Sequence, residues 1–152
     1  MALDFNLTSE FTPIARRSFA MGDATILNPN SVNPLVLGEF LELNLSYQLI
    51  RGAVDGALVP SFAIFAERGR TDMQAIGRAP ALFLNSYEAD TKIIDATGLV
   101  TYGQPLMVGN VTIGALVKRG LKLHAGAAHV VGFVTRLPAS NNGYLRFVRN
   151  DA

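Results

Sequence analysis

The sequence predicts a mostly β fold: a small β-barrel or β-sandwich-like domain preceded by an extended N-terminal arm. Three observations predict it. Short runs alternate apolar and polar residues with the period of two that a half-buried strand requires. Gly98, Gly103, Gly109, Gly114, Gly120, Gly126 and Gly132 recur every five or six residues. A helix would lose about 1 kcal/mol at each interior glycine relative to alanine, whereas strands accept glycine at bulges and barrel corners. The residues before Pro34 sustain neither a strand period nor a helix period.

Taken in order, residues 1–33 read as an arm or edge extension. Leu3, Phe5, Leu7, Phe11 and Ile14 are isolated apolar residues, and Asn28-Pro29-Asn30-Ser31-Val32-Asn33-Pro34 is a turn-forming cluster that blocks helix and ladder alike. A short helix over residues 12–21, with Pro13 in its first turn, is the weaker reading. Residues 34–152 form the β body, with little helix. In residues 39–45 (EFLELNL), alternation puts Leu41, Leu43 and Leu45 on one face and Glu42 and Asn44 on the other. Residues 61–67, 81–84, 111–117, 130–137 and 144–148 are the further strands. The last two are joined by the Pro138–Gly143 loop, a hairpin signal. Leu145 and Phe147 share one face, opposite Tyr144 and Arg146. A hexapeptide β-helix is the weaker reading, because Arg119 breaks the phase where such a coil needs an aliphatic residue and Ala125 fills it poorly. Residues 33–38 (NPLVLG) echo residues 104–109 (QPLMVG). The echo suits two strand–bend–strand units of a small barrel, or equally a coincidence of common strand-entry patterns.

Composition narrows the function classes. A chain of 152 residues is one ordinary domain, and 49% hydrophobic content excludes intrinsic disorder. With no cysteine, disulfides, thiolate metal sites and cysteine nucleophiles are excluded. No apolar run approaches the ~18 residues of a membrane span. Charged and proline residues interrupt the first 30 positions, so no secretory signal is expected. A net charge of +1 argues against a protein held by nucleic-acid phosphates or anionic lipid. Only 16% of residues are charged, against roughly 25% in an average domain. Such a surface is either simply neutral or partly covered by partners, because interface cores are depleted in charge.

Catalytic and ligand-binding signatures are missing. His124 and His129 stand five apart, which on a strand sends them to opposite faces and disfavours a metal or acid–base pair. Asp90 and Asp95 read as loop and strand-end carboxylates. Glu67, Asp72, Glu88 and Asp90 follow no spacing that would assemble a two-carboxylate hydrolase site. There is no Gly-x-Ser-x-Gly elbow and no glycine-rich phosphate loop. Residues 67–72 (ERGRTD) form the densest charged stretch, a contact loop or a solvated hairpin tip. Arg16-Arg17 and Lys118-Arg119…Lys122 are basic clusters without the aromatic platform of a single-strand binder. No catalytic, cofactor or metal residue is assigned, and no enzyme activity is expected.

Four stretches, "NPLVLGEFLELN", "FAIFAERGRTDMQAIGRAPALF", "YEADTKIID" and "AHVVGFVTRLPASNNGYLRFV", resemble a family of small structural proteins of tailed bacteriophages, the capsid decoration (cement) proteins. The resemblance covers roughly residues 33–148. It implies a β-rich barrel-like domain on the outer face of the capsid head, made in the host cytoplasm, without cofactor, membrane or direct nucleic-acid contact. The implied partners are the major capsid protein and the chain itself, a trimer being preferred to a dimer. The alternative is another phage structural component of similar fold, from the tail or the head–tail connector. The resemblance transfers no contact residues. Those expected from the residues themselves are Phe5, Leu7, Phe11, Ile14, Arg16 and Arg17 in the arm, Arg68 and Arg70 in the charged stretch, and Asn141 and Asn142 in the last loop. The arm is expected to attach to the shell rather than to support the body.

Overall fold

Strand pairing organises this chain. The computed structural model describes residues 5–10, 15–57, 64–65, 71–83, 86–139 and 143–150. It opens with strands β1 (Phe5–Glu10) and β2 (Ala15–Ala20) and a 3-10 turn at Ala24–Leu27. Three two-residue strands follow: β3 (Glu42–Leu43), β4 (Leu49–Ile50) and β5 (Ile64–Phe65). After the short helix α1 (Thr71–Ile76) come β6 (Arg78–Phe83), β7 (Ser86–Thr91), β8 (Pro105–Ile113), β9 (Leu116–Leu123), β10 (Gly132–Arg136) and β11 (Leu145–Asn150). The fold is mostly β, as the sequence predicts.

The main sheet is antiparallel, in the order β1-β7-β11-β10-β8-β9. Five of its strands curl into a half-barrel. The curl returns β9 to the chain leaving β7: Leu121 donates its N–H to the Ile93 carbonyl at 3.0 Å, and Asp95 donates to the Leu121 carbonyl at 2.9 Å. This parallel seam is the bridge between Ile94 and Leu121. The rest of the outer edge of β9 is also occupied. Phe40 N–H donates to the Arg119 carbonyl, the Glu39 carboxylate accepts Arg119 N–H, and Asn33 Nδ2 donates to the Val117 carbonyl. A sheet edge capped in this way offers no template for stray pairing. A smaller sheet, β2-β6-β5, and the β3–β4 hairpin complete the fold.

The core lies inside the curl. Leu106, Val108, Leu121, Leu145 and Phe147 point inward from the sheet, and Leu27, Phe40, Leu41 and Leu49 close over them. Tyr87 meets the Phe147 ring edge-on at 5.7 Å, a favoured aromatic geometry. Leu145 and Phe147 are fully buried while Tyr144 and Arg146 are half-buried, so the expected face assignment of the last strand is met.

Several expectations are corrected. The N-terminal segment is an edge extension and not an irregular arm: β1 is the terminal strand of the main sheet and β2 pairs along its length with β6. Joining sheets satisfies backbone groups that an arm would leave to water. Ala15–Ala20 is accordingly strand, not helix. In residues 39–45 only Glu42–Leu43 form a strand, Phe40 makes a single bridge, and a turn at residues 44–48 turns Leu45 out, fully exposed. Residues 111–117 are a hairpin tip, not one strand. Ile113 faces Leu116, with Gly114 at φ 64° between them, as a type II′ turn requires. Thr71 and Asp72 start a helix closed by left-handed Gly77, where a hairpin tip was one reading. β7 was not foreseen as a strand, and it carries Glu88 and Asp90. The sequence echo does not extend to structure: Gly38 is a left-handed turn residue, whereas Gly109 lies within β8.

Candidate interaction surface

Two features stand out: a buried charge cluster that fixes the loop layer to the barrel, and an apolar row on the barrel's outer face. The cluster centres on Glu39, whose side chain is inaccessible to solvent. Its carboxylate accepts Val36 N–H (2.8 Å), Arg119 N–H (3.0 Å) and both Nε and Nη2 of Arg51 (3.0 and 2.9 Å). Arg51 also donates to the carbonyls of Asn33 and Pro34, and Lys118 Nζ donates to the Pro34 carbonyl. Alongside, buried Arg119 donates to Asn110 Oδ1 (3.0 Å), the Val54 carbonyl (2.9 Å) and Glu42 (3.4 Å). Burial pulls both the Arg119 guanidinium and the Lys118 ammonium below their ordinary pKa, and Glu42 and Glu39 respectively oppose the shift. Buried charges persist only when paired and hydrogen-bonded, so this cluster is structural.

Asp55 extends the cluster to the surface. It accepts Lys122 Nζ (2.8 Å) and Asn110 N–H (2.8 Å), and these bonds hold its carboxyl below the usual range. Asp95 is lowered likewise by the hydroxyl and N–H of Thr97. Between them lies an open polar cleft of about 670 Å³, lined by Asp95, Thr97, Asn110, Thr112 and Lys122. Among the described residues no group of three or more His, Cys, Asp or Glu could hold a metal ion. Folded-state pKa values below the unfolded 3.8 contribute stability that is present above that value and lost as pH falls through the lowered ones. Wild-type stability is therefore expected to fall in acid below about pH 4, and a variant carrying Asp55→Asn and Asp95→Asn should show a flatter profile. Urea unfolding across pH 2.5–6 (roughly the carboxylate range) checks it, and equally steep profiles would contradict it.

The outer face is built by strand register. Phe133 lies opposite Val148 on one side and Pro105 on the other, so three adjacent strands place an apolar row across the barrel. Phe133 is 47% exposed and Val130, just before β10, 46%. The loop over residues 98–104 is tied beside this row: Gly103 donates to the Val134 carbonyl and Val134 to the Gln104 carbonyl. The Gln104 side chain braces the loop by accepting Val100 and Thr101 N–H and donating to the Gly98 carbonyl. Its Val100 and Tyr102 side chains are about 70% exposed. Charges on the neighbouring stretch are paired. Arg146 clasps Asp90 through two bonds (2.8 and 3.0 Å), Arg136 lies 3.5 Å from the same carboxylate, and Thr135 Oγ1 donates to Glu88. An apolar centre with a satisfied polar rim is the anatomy of an interface.

The residues expected as contacts are dispersed. Phe5 is 4% exposed and fills the core beside Gly38, so its own chain, not a partner, anchors it. Leu7 stands opposite Ala89 in β1, and Arg16 and Arg17 stand opposite Leu82 and Ala81 in β2. Phe11, Ile14, Arg68, Arg70, Asn141 and Asn142 lie outside the described residues, as does most of the 67–72 stretch. His124 and His129 belong to the loop after β9, where His124 Nε2 meets the Ala128 carbonyl at 2.7 Å. Sequence reasoning missed Phe133 and Glu39. Apolar residues occupy both phases of residues 130–134, and Phe133 shares its phase with buried Val131, so alternation did not announce an outward side chain. The partners of Glu39 lie up to 80 residues away, and no local spacing announces them.

The fold and this face define a mostly β, barrel-like domain with an apolar external row. No protein-family model, curated protein or solved structure matches the chain.

Proposed function

We propose that this chain is a capsid decoration protein of a tailed bacteriophage, bound to the outside of the head, where it bridges major capsid subunits without chemical turnover. The observation that carries the reading is the row in which Phe133, 47% exposed, stands between half-buried Val148 and Pro105, beside charges that are already paired. The resemblance of four sequence stretches to such proteins points the same way, and a surface with 16% charged residues suits a protein covered by partners. A cement protein acts through buried area: shell subunits cannot part until its contacts break. The row is the surface through which copies assemble, three being preferred over two, and many copies per shell add avidity.

The test is co-sedimentation with shells assembled from the phage's major capsid protein alone. Wild-type protein is expected to pellet to a saturating, stoichiometric occupancy. Phe133→Ser, at an exposed position, should keep the β circular-dichroism spectrum yet bind at least tenfold more weakly, because copies that no longer associate lose the avidity of the assembled unit. Wild-type protein that pellets no more than an unrelated control overturns the reading.

A further inference from the structure

The polar cleft beside the Asp55–Lys122 pair takes no part in the apolar row. At about 670 Å³ it falls in the size range of small-molecule sites. Three parts of the chain converge on it: Asp95 and Thr97 on the chain leaving β7, Thr112 on β8 and Lys122 on β9. Its charged groups are fixed from behind. Asn110 N–H and Lys122 Nζ each hold Asp55 at 2.8 Å, and Thr97 N–H holds Asp95 at 3.0 Å. Gly109 leaves room for the ion pair: a Cβ there would stand 2.6 Å from Asp55 Oδ1 and 2.7 Å from Lys122 Cδ. Hydrogen-bonding capacity is left over. Lys122 keeps two N–H donors beyond Asp55, and the Asp95 carboxylate keeps lone pairs beyond Thr97. The exposed Thr112 hydroxyl bonds to no described residue.

We infer that this cleft binds a neutral saccharide of one or two pyranose rings through neighbouring hydroxyls. The lining selects against the other ligand classes. Hydrogen bonds from Lys122 and Thr97 hold the Asp55 and Asp95 carboxyls below their usual range, so both stay ionised. A phosphate or carboxylate ligand therefore meets two fixed negative charges against one ammonium. A cationic ligand meets the Lys122 ammonium, which has donors only and nothing to accept from it. An apolar ligand would cover the carboxylates and the ammonium without bonding them. A sugar hydroxyl both donates and accepts. Neighbouring hydroxyls can therefore donate to Asp95, accept from Lys122 and pair with Thr112 at once, and bonds to charged groups are the strong ones. Ile94 and Val111 line the same cleft and meet the ring's C–H groups. A ring presents its hydroxyls already ordered, whereas a linear polyol must be ordered on binding.

The experiment is a titration of the isotope-labelled full-length chain followed by amide NMR. The probes are maltose, lactose and N,N′-diacetylchitobiose, each taken to about 50 mM, a concentration that populates contacts of millimolar affinity. Inorganic phosphate, spermidine and sorbitol are titrated alongside at the same pH and ionic strength. At least one disaccharide should shift the amides of residues 95–97, 110–112 and 122 along a saturable curve, while the three comparison compounds leave them in place. Thr112→Val, at an exposed position, should weaken that binding about fivefold, as loss of one hydrogen bond implies. Asp95→Asn should weaken it about tenfold, because a charged acceptor is lost. The rest of each variant's spectrum should match wild type, which excludes misfolding as the cause. Three results overturn the inference: no shift of these amides by any of the sugars, an equal shift by phosphate, spermidine or sorbitol, or undiminished affinity in either folded variant. Because no shell is present, these outcomes are independent of whether the chain decorates capsids.

Discussion

Replacing Gly120 with alanine is expected to open the barrel seam and cost about 3 kcal/mol, lowering Tm by roughly 6–12 °C in a chain of this size. At this position a Cβ would stand 2.1 Å from the Ile93 carbonyl oxygen and 2.7 Å from its carbon. That oxygen accepts the Leu121 N–H that closes the sheet. Neither side can give. Ile93 is held by the chain leaving β7, and Gly120 by its pairing with Gly109 on β8. Gly114→Ala is the control. Its Cβ meets open space, but φ is 64°, so only the left-handed penalty of about 1 kcal/mol applies. Thermal unfolding of the two variants checks the prediction. A Gly120→Ala protein within about 0.5 kcal/mol of wild type would show that the seam does not carry the fold.

Removing the Glu39 carboxylate is expected to have the largest electrostatic effect. Glu39→Ala leaves the Arg51 guanidinium, the Arg119 and Val36 N–H groups and the nearby Lys118 ammonium without their shared acceptor. Breaking a buried pair by deleting one partner costs about 3–5 kcal/mol, because the other charge stays behind. Residues 33–56 are mostly loop and are tied to the barrel by these bonds as well as by Phe40, Leu41 and Leu49 in the core, so they should loosen first, with faster amide exchange than β8 and β9. Glu39→Gln keeps one acceptor oxygen and should fall between alanine and wild type. Urea unfolding gives the free energies. A loss below about 1 kcal/mol for Glu39→Ala would mean that apolar packing, not the charge cluster, holds the loop layer.

The regular parts of the fold were legible wherever one strand face is buried. In β11 the alternation of Leu145 and Phe147 with Tyr144 and Arg146 reads directly onto the two faces of the sheet. Alternation misled where a turn interrupted it. Leu45 continues the pattern of Leu41 and Leu43, yet the Asn44 side chain captures two backbone N–H groups and reverses the chain first. Gly114 was legible as a bend residue, but the apolar residues on both sides of it read as one strand. β1 and β2 were hidden because their strand state depends on partners 58 to 86 residues away. Of the candidate surface, composition announced only the shortage of charge. The row through Phe133 needs the β10–β11 and β10–β8 registers, which no local pattern encodes.

The most direct test of the central claim is a reconstruction of the intact phage particle at side-chain resolution. The account predicts copies of this barrel on the outer surface of the head, grouped around local symmetry axes, with Phe133 covered by a neighbouring chain. Density for the barrel only in the tail or at the head–tail connector, or a head surface without it, would contradict the account.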